Sequence, residues 1–151
     1  MAMPEQRANI QEIFYSLQGE GAYLGQPMFF VRFSGCNLRC RYCDTRRAQS
    51  PQKYCLVATD RYSGKFQKIP NELTVGQVSQ IIHRLAGPPA WLSFTGGELL
   101  LQAEFIQQLL RRLGPGYSAL LETNGTLPEK LKILLKEITV FSVDYKPGQE
   151  K

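Results

Sequence analysis

Cys36, Cys40 and Cys43 fall in the run Ser34-Gly35-Cys36-Asn37-Leu38-Arg39-Cys40-Arg41-Tyr42-Cys43-Asp44-Thr45, directly after the apolar stretch Met28-Phe29-Phe30-Val31-Arg32-Phe33. Three thiolates so close in sequence serve one metal centre, and the spacing offers no fourth ligand beside them. A structural zinc site closes its tetrahedron with four protein ligands, usually as two short pairs. An iron-sulfur cube held by three cysteines instead leaves one iron open for chemistry. The segment must therefore leave a strand and wrap an open site. A zinc knuckle is the competing reading; Cys55 is then a candidate fourth ligand, and otherwise a free cysteine in a loop.

The 151 residues suit one domain with a real core, since a chain of this size buries about 70% of its unfolded surface. No apolar run is long enough to span a bilayer, and Met1-Ala2-Met3-Pro4-Glu5-Gln6-Arg7 has no apolar signal core, so a cytoplasmic chain without a membrane partner is expected. Four cysteines, three of them crowded together, favour a reducing compartment and metal binding over disulfides. Residues 32–68 hold nine Arg and Lys against Asp44 and Asp60, which surrounds the cysteines with positive potential. There is no Lys/Arg run and no nucleic-acid module, so nucleic acid is not an expected partner. A carboxylate-bearing ligand or an acidic electron donor accounts for the same charge.

Beyond the cysteines, short apolar strands alternate with amphipathic helices, the pattern of a mostly parallel α/β sheet with crossover helices. Met28–Phe33 reads as the first strand. Thr74 opens a helix with Gln77 as its capping-box partner and Val75, Val78, Ile82 and Leu85 inward, until Gly87-Pro88-Pro89. Trp91–Phe94 is a strand, and a second helix carries Phe105, Ile106, Leu109, Leu110 and Leu113. The strand Ala119–Glu122 follows. Pro128 starts a third helix with Leu131, Leu134, Leu135 and Ile138 inward, before the strand Val140–Val143. About four strands and three helices make a partial rather than a complete (β/α) barrel. Residues 46–70 show no periodicity and read as a long loop. Ligands of parallel sheets bind at the carboxyl ends of strands, so the cysteine loop, Thr95-Gly96-Gly97-Glu98, Thr123-Asn124-Gly125-Thr126 and Asp144-Tyr145-Lys146 should face one another. His83, the single histidine, lies beside its helix's apolar stripe and is expected at the surface.

The Cys-x3-Cys-x2-Cys order, with the aromatic Tyr42 before the last cysteine, resembles the cluster motif of the radical S-adenosylmethionine (SAM) superfamily. The resemblance implies one radical SAM domain over 1–151, an abbreviated barrel, with Cys36, Cys40 and Cys43 on a 4Fe-4S cluster and SAM on its open iron. Reduction would split SAM to methionine and a 5′-deoxyadenosyl radical. In this likeness Gly96 and Gly97 give room to the methionyl end of SAM and Glu98 helps to hold it. Glu122, Thr123 and Asn124 would reach its ribose and methionine, Tyr42 its adenine, and Asp44 belongs to the same contact set. Read alone, Thr95–Glu98 and Glu122–Thr126 are ordinary turns leaving strands.

A narrower likeness covers nearly the whole chain. Phe14-Tyr15-Ser16-Leu17-Gln18-Gly19-Glu20-Gly21, Gly25-Gln26-Pro27, Phe30-Val31-Arg32-Phe33 and Cys43-Asp44-Thr45 resemble the 7-carboxy-7-deazaguanine synthase family of queuosine and deazapurine biosynthesis. That family is a set of lyases converting 6-carboxy-5,6,7,8-tetrahydropterin to 7-carboxy-7-deazaguanine with loss of ammonia. The likeness implies that Leu17, Gln18, Gly19 and Glu20 contact the pterin, Arg32 pairs with its carboxylate, Thr95 reaches it, and Thr45 offers its hydroxyl to Mg2+. It also implies a homodimer, a reducing partner such as flavodoxin or ferredoxin, and further sheet with a carboxyl-terminal substrate contact beyond this sequence. Where the family carries Ser-Pro-Lys this chain reads Ser142-Val143-Asp144-Tyr145-Lys146-Pro147, which leaves Asp144 and Lys146 unassigned. Two alternatives stay open: an activating enzyme that makes a glycyl radical on a protein partner, and a non-catalytic zinc- or cluster-binding module. For Arg32 the bland alternative is a surface position; buried beside Phe29-Phe30-Val31 it would need an anion.

Overall fold

In the computed structural model of the chain, residues 4–148 are described; the ends of the expected 1–151 domain, Met1–Met3 and 149–151, lie outside the described residues. The strands are β1 Arg7–Ala8, β2 Ile10–Leu17, β3 Pro27–Phe33, β4 Tyr54–Ala58, β5 Phe66–Pro70, β6 Leu73–Thr74, β7 Ala90–Gly96, β8 Tyr117–Thr123 and β9 Val140–Val143. The helices are α1 Val75–Leu85, α2 Ala103–Leu113 and α3 Pro128–Leu134. One seven-stranded sheet runs in the order β5-β4-β2-β3-β7-β8-β9, and β1 pairs with β6 at its margin. The pairs β2/β4, β3/β7, β7/β8 and β8/β9 are parallel, while β2/β3 and β4/β5 are antiparallel.

The helices behave as their sequences require. Thr74 Oγ1 accepts from Gln77 N at 3.2 Å and Gln77 Oε1 accepts from Thr74 N at 2.9 Å, which closes the expected capping box. Val75, Val78, Ile82 and Leu85 are buried, as are Phe105, Ile106, Leu109, Leu110 and Leu113 of α2. These stripes cover one face of the sheet, where Phe29, Val31, Phe33, Leu92, Phe94, Ala119 and Leu121 complete the main core. The opposite face is left to a small cluster of Met28, Phe30 and Leu120, with Phe14, Tyr23, Trp91 and Val140 packed against it.

Four expectations are corrected. Residues 46–70 are not a loop, because they contain the β4/β5 hairpin. Cys55 sits in β4, fully buried, rather than in a loop. Leu135, expected inward, is 56% exposed because α3 ends at Leu134 and the chain turns there. Met28–Phe33 is also not the first strand of the sheet. The strand β2 precedes it, and a register shift between Ile10 and Glu12 breaks the two-residue alternation by which such a strand is read. His83 is exposed as expected, its Nδ1 3.0 Å from the Tyr117 hydroxyl.

Candidate functional site

Because side chains alternate along a strand, the residues between the helix-facing ones point to the other face. Registers then fix which of them are neighbours. Glu12 pairs with Arg32, Arg32 with Thr95, and Glu122 with Ser142; Phe94 opposite Leu121 brings Thr95 beside Glu122. A polar row, Glu12–Arg32–Thr95–Glu122–Ser142, thus crosses five strands. The next row is largely apolar: Phe14, Phe30, Ser93, Leu120 and Val140. Phe14 and Phe30 stack at 5.2 Å.

At the carboxyl end of this face is a cleft of about 420 Å3. All four segments expected to converge do so: Cys36, Cys40 and Cys43; Thr95–Gly97; Glu122–Asn124; Asp144 and Lys146. Gln18, Gly19, Glu20, Arg32, Tyr42, Asp44 and Thr45 also line it. Two expected residues do not. Leu17 points away at 59% exposure. Glu98 is buried with its carboxylate spent on the protein: Oε1 accepts from Thr123 Oγ1 at 2.5 Å and from Leu100 N at 3.0 Å, and Oε2 accepts from Asn124 N at 2.8 Å. It fastens the turn after β7 to the end of β8.

The glycines of that turn make room first for protein. A Cβ on Gly96, whose φ is +123°, would stand 2.1 Å from Phe33 O, and one on Gly97 would stand 2.0 Å from Gly35 O. The bare backbone lets Gly97 N donate to Phe33 O at 3.1 Å and Glu98 N to Gly35 O at 2.9 Å. The cysteine loop is tied across the cleft as well. Asn37 Nδ2 donates to Thr126 Oγ1 at 2.8 Å and Asn124 Nδ2 to Asn37 Oδ1 at 3.1 Å.

Three free thiols, all half-exposed, line the cleft wall, while Cys55 lies in the helix-side core and cannot join them. Among the described residues no three His, Cys, Asp or Glu gather around one point as a single ion requires. A donor set of three thiols beside open cleft space fits a cluster with one free iron. Leu38 N donates to Cys36 Sγ at 3.5 Å, the kind of contact that stabilises a thiolate. Burial nevertheless leaves the Cys36 thiol above its ordinary pKa.

The fold groups Glu122 with Thr95 and Arg32 on the polar row. Its Oε2 accepts from Thr95 Oγ1 at 2.5 Å. Burial raises its pKa, the Thr95 hydroxyl opposes that, Glu20 and Asp144 add to it, and Arg32 counters them. Gln18 is buried, with its Oε1 accepting from Gly19 N at 3.0 Å and Glu20 N at 3.3 Å, so its side chain shapes the loop that brings Gly19 and Glu20 to the cleft. Arg32 finds its anion within the chain: Glu12 Oε1 lies 3.0 Å from Nη1. Glu12 does not stand out in the sequence; only the β2/β3 register reveals it.

A family model described as the radical SAM superfamily matches residues 30–150. The chain belongs to the radical SAM superfamily. The superfamily's 4Fe-4S cluster and SAM are the groups that these three thiols and the cleft beside them suit. Among proteins similar to this radical SAM chain, the 7-carboxy-7-deazaguanine synthase of Methanopyrus kandleri is 38% identical over 152 residues, covering 95% of this chain and 58% of that protein. The 7-carboxy-7-deazaguanine synthase of Archaeoglobus fulgidus is 45% identical over 129 residues, covering 85% of this chain and 51% of that protein. The crystal structure of QueE from Escherichia coli superposes with a TM-score of 0.59 at 25% identity, over 80% of this chain and 53% of that one. The chain therefore spans about half the length of the relatives it matches. Among the described residues no helix is long and apolar enough to cross a membrane.

Proposed function

We propose that this chain carries the chemistry of a 7-carboxy-7-deazaguanine synthase, converting 6-carboxy-5,6,7,8-tetrahydropterin to 7-carboxy-7-deazaguanine. Substrate and product differ by one ammonia, so the conversion is a redox-neutral ring contraction. The observation that carries the reading is the polar row beside the cysteines: a guanidinium at Arg32 and a carboxyl at Glu122 on either side of Thr95, with the Phe30 ring lining the same cleft. A flat ring with a carboxylate at one end and N–H donors at the other matches that order.

When bound at Cys36, Cys40 and Cys43, the cluster with SAM would supply hydrogen-atom abstraction at the ring carbon bearing the carboxylate. The protein's part is placement. Arg32 takes the carboxylate with its guanidinium, fixing the adjoining carbon toward the cysteine side of the cleft. Glu122, inclined to hold its proton, accepts from or donates to the pterin edge while Thr95 fixes its orientation. Gly19 and Glu20 bound the ring's far side. Thr45 Oγ1 is a hard oxygen on the cleft wall that would hold Mg2+, and the ion would supply positive charge beside the substrate carboxylate. Gly96, Gly97, Thr123, Asn124, Asp44 and Tyr42 border the space for SAM, and Glu98 acts behind them by holding Thr123 and Asn124. The basic surface around the cysteines suits an acidic one-electron donor such as flavodoxin or ferredoxin. A cytoplasmic homodimer completes the reading.

The test is anaerobic reconstitution with iron and sulfide, then incubation with SAM, dithionite, Mg2+ and 6-carboxytetrahydropterin, with products read by mass spectrometry. We expect 5′-deoxyadenosine and 7-carboxy-7-deazaguanine together. 5′-Deoxyadenosine without the deazaguanine sinks the substrate assignment, and neither product from a cluster-loaded chain sinks the enzyme. Arg32→Ala should lose the deazaguanine while still assembling the cluster.

A further inference from the structure

β2 and β3 place Glu12 directly opposite Arg32 on the cleft face. Glu12 Oε1 and Arg32 Nη1 meet at 3.0 Å with side chains only 20% and 27% exposed. The guanidinium lies 5.6 Å from the centroid of the Phe14 ring, which is itself held by stacking on Phe30. Arg32 Nε is buried without a hydrogen-bond partner. Among the described residues Glu12 is the one carboxylate in ion-pair contact with this guanidinium.

A guanidinium can meet a carboxylate through two parallel N–H bonds along either of two edges, Nη1/Nη2 or Nε/Nη2. Glu12 on Nη1 occupies the first edge, and Nε, buried without a partner, is closed to a ligand, so Nη2 is the donor left for the cleft that Arg32 lines. We infer that Glu12 is a positioning residue: by gripping Nη1 against the Phe14 ring it presents Nη2 of Arg32 to the substrate carboxylate. This rests on the function proposed above. Glu12 itself need not touch substrate. Its carboxylate also neutralises Arg32 while the cleft is empty, so the arginine is preorganised rather than free to swing toward Glu122 or bulk water.

The alternative role for such a glutamate is a competitor that the substrate must displace, and the two roles have opposite consequences. The probes are 6-carboxypterin and pterin, stable molecules that differ by the carboxylate, titrated into the cluster-loaded protein with SAM present. Wild type should prefer 6-carboxypterin by tenfold or more. Glu12→Gln, which keeps shape but loses charge, should cut that preference at least fivefold, and Glu12→Asp, which keeps charge with shorter reach, should fall between. A preference retained or sharpened in Glu12→Gln overturns the positioning role. Equal weakening toward both pterins in the variants also overturns it, since that marks a disordered site, and thermal unfolding of each variant checks the fold directly. A wild type indifferent to the carboxylate overturns the substrate reading beneath the inference and the inference with it.

Discussion

Gly97 and Gly35 touch backbone to backbone, so closely that a Cβ on Gly97 would stand 2.0 Å from the Gly35 carbonyl oxygen. The same oxygen accepts from Glu98 N at 2.9 Å, and Gly35 N donates to Ala48 O at 2.7 Å. The turn after β7 is therefore the buttress on which the cysteine loop is built.

Gly97→Ala should dislodge that loop, because the clash is with main chain, which cannot rotate away. We expect a loss of about 2–3 kcal/mol, the upper range of overpacking, in urea unfolding, and iron uptake on reconstitution below half that of wild type. Gly19→Ala is the control for stability, since a Cβ there meets nothing within 4 Å. Equal stability of the two variants would remove the buttress from the account.

Glu98→Gln replaces an acceptor by a donor where Thr123, Leu100 and Asn124 all donate. One of those three bonds must fail in a buried setting, a cost of about 1–3 kcal/mol. The loss should appear in the protein without SAM. A glutamate that held SAM directly would behave otherwise, with weaker SAM binding and unchanged stability of the empty protein.

What the sequence revealed and concealed follows from length and periodicity. From β7 onward each strand is separated from the next by a helix with its own apolar stripe, so Thr74, Pro128 and the apolar positions between them place α1, β7, α2, β8 and β9 to within two residues, while α3 stops short of its expected stripe. The β4/β5 hairpin is hard to read because its edge strand, Phe66–Pro70, is largely exposed and its inner strand is only five residues long. Cleft-lining residues in contiguous motifs are legible because one loop carries several of them. Glu12 belongs to no loop, and its partner lies twenty residues away across a hairpin whose register the bulge at Ile10 conceals. Gly96 and Gly97 serve close approach within the protein, which leaves the same mark in a sequence as close approach to a cofactor.

Cys55 offers a check on the placement of the four cysteines. Burial, with Glu12 adding to it, pushes its thiol up to about 12. In native protein without its cluster, iodoacetamide at pH 8 should alkylate Cys36, Cys40 and Cys43 and leave Cys55 untouched, with the fourth label appearing only on denaturation. The same shift has a stability consequence. The unfolded thiol ionises near 9.0 and the folded one near 12, so this group's contribution to stability is intact below the first value and is lost as pH rises toward the second. Rapid labelling of native Cys55 would contradict its burial in β4.

Glu122 turns the geometry of the cleft into a pH-dependent balance between stability and function. Its folded pKa is raised by burial above the ordinary 4.5. Below that ordinary value both folded and unfolded chains carry it protonated, and it costs nothing. As pH rises the unfolded chain ionises freely while the folded one resists, so stability falls until the folded pKa is passed. Glu122→Gln mimics the protonated form and keeps an acceptor for Thr95 Oγ1. Thermal unfolding should find it equal to wild type near pH 4 and more stable at pH 7.5. Turnover should move the other way, falling tenfold or more, because an amide cannot exchange a proton or present two acceptor oxygens to the pterin edge. A variant both more stable and fully active would show that Glu122 serves the fold's interior and not the substrate.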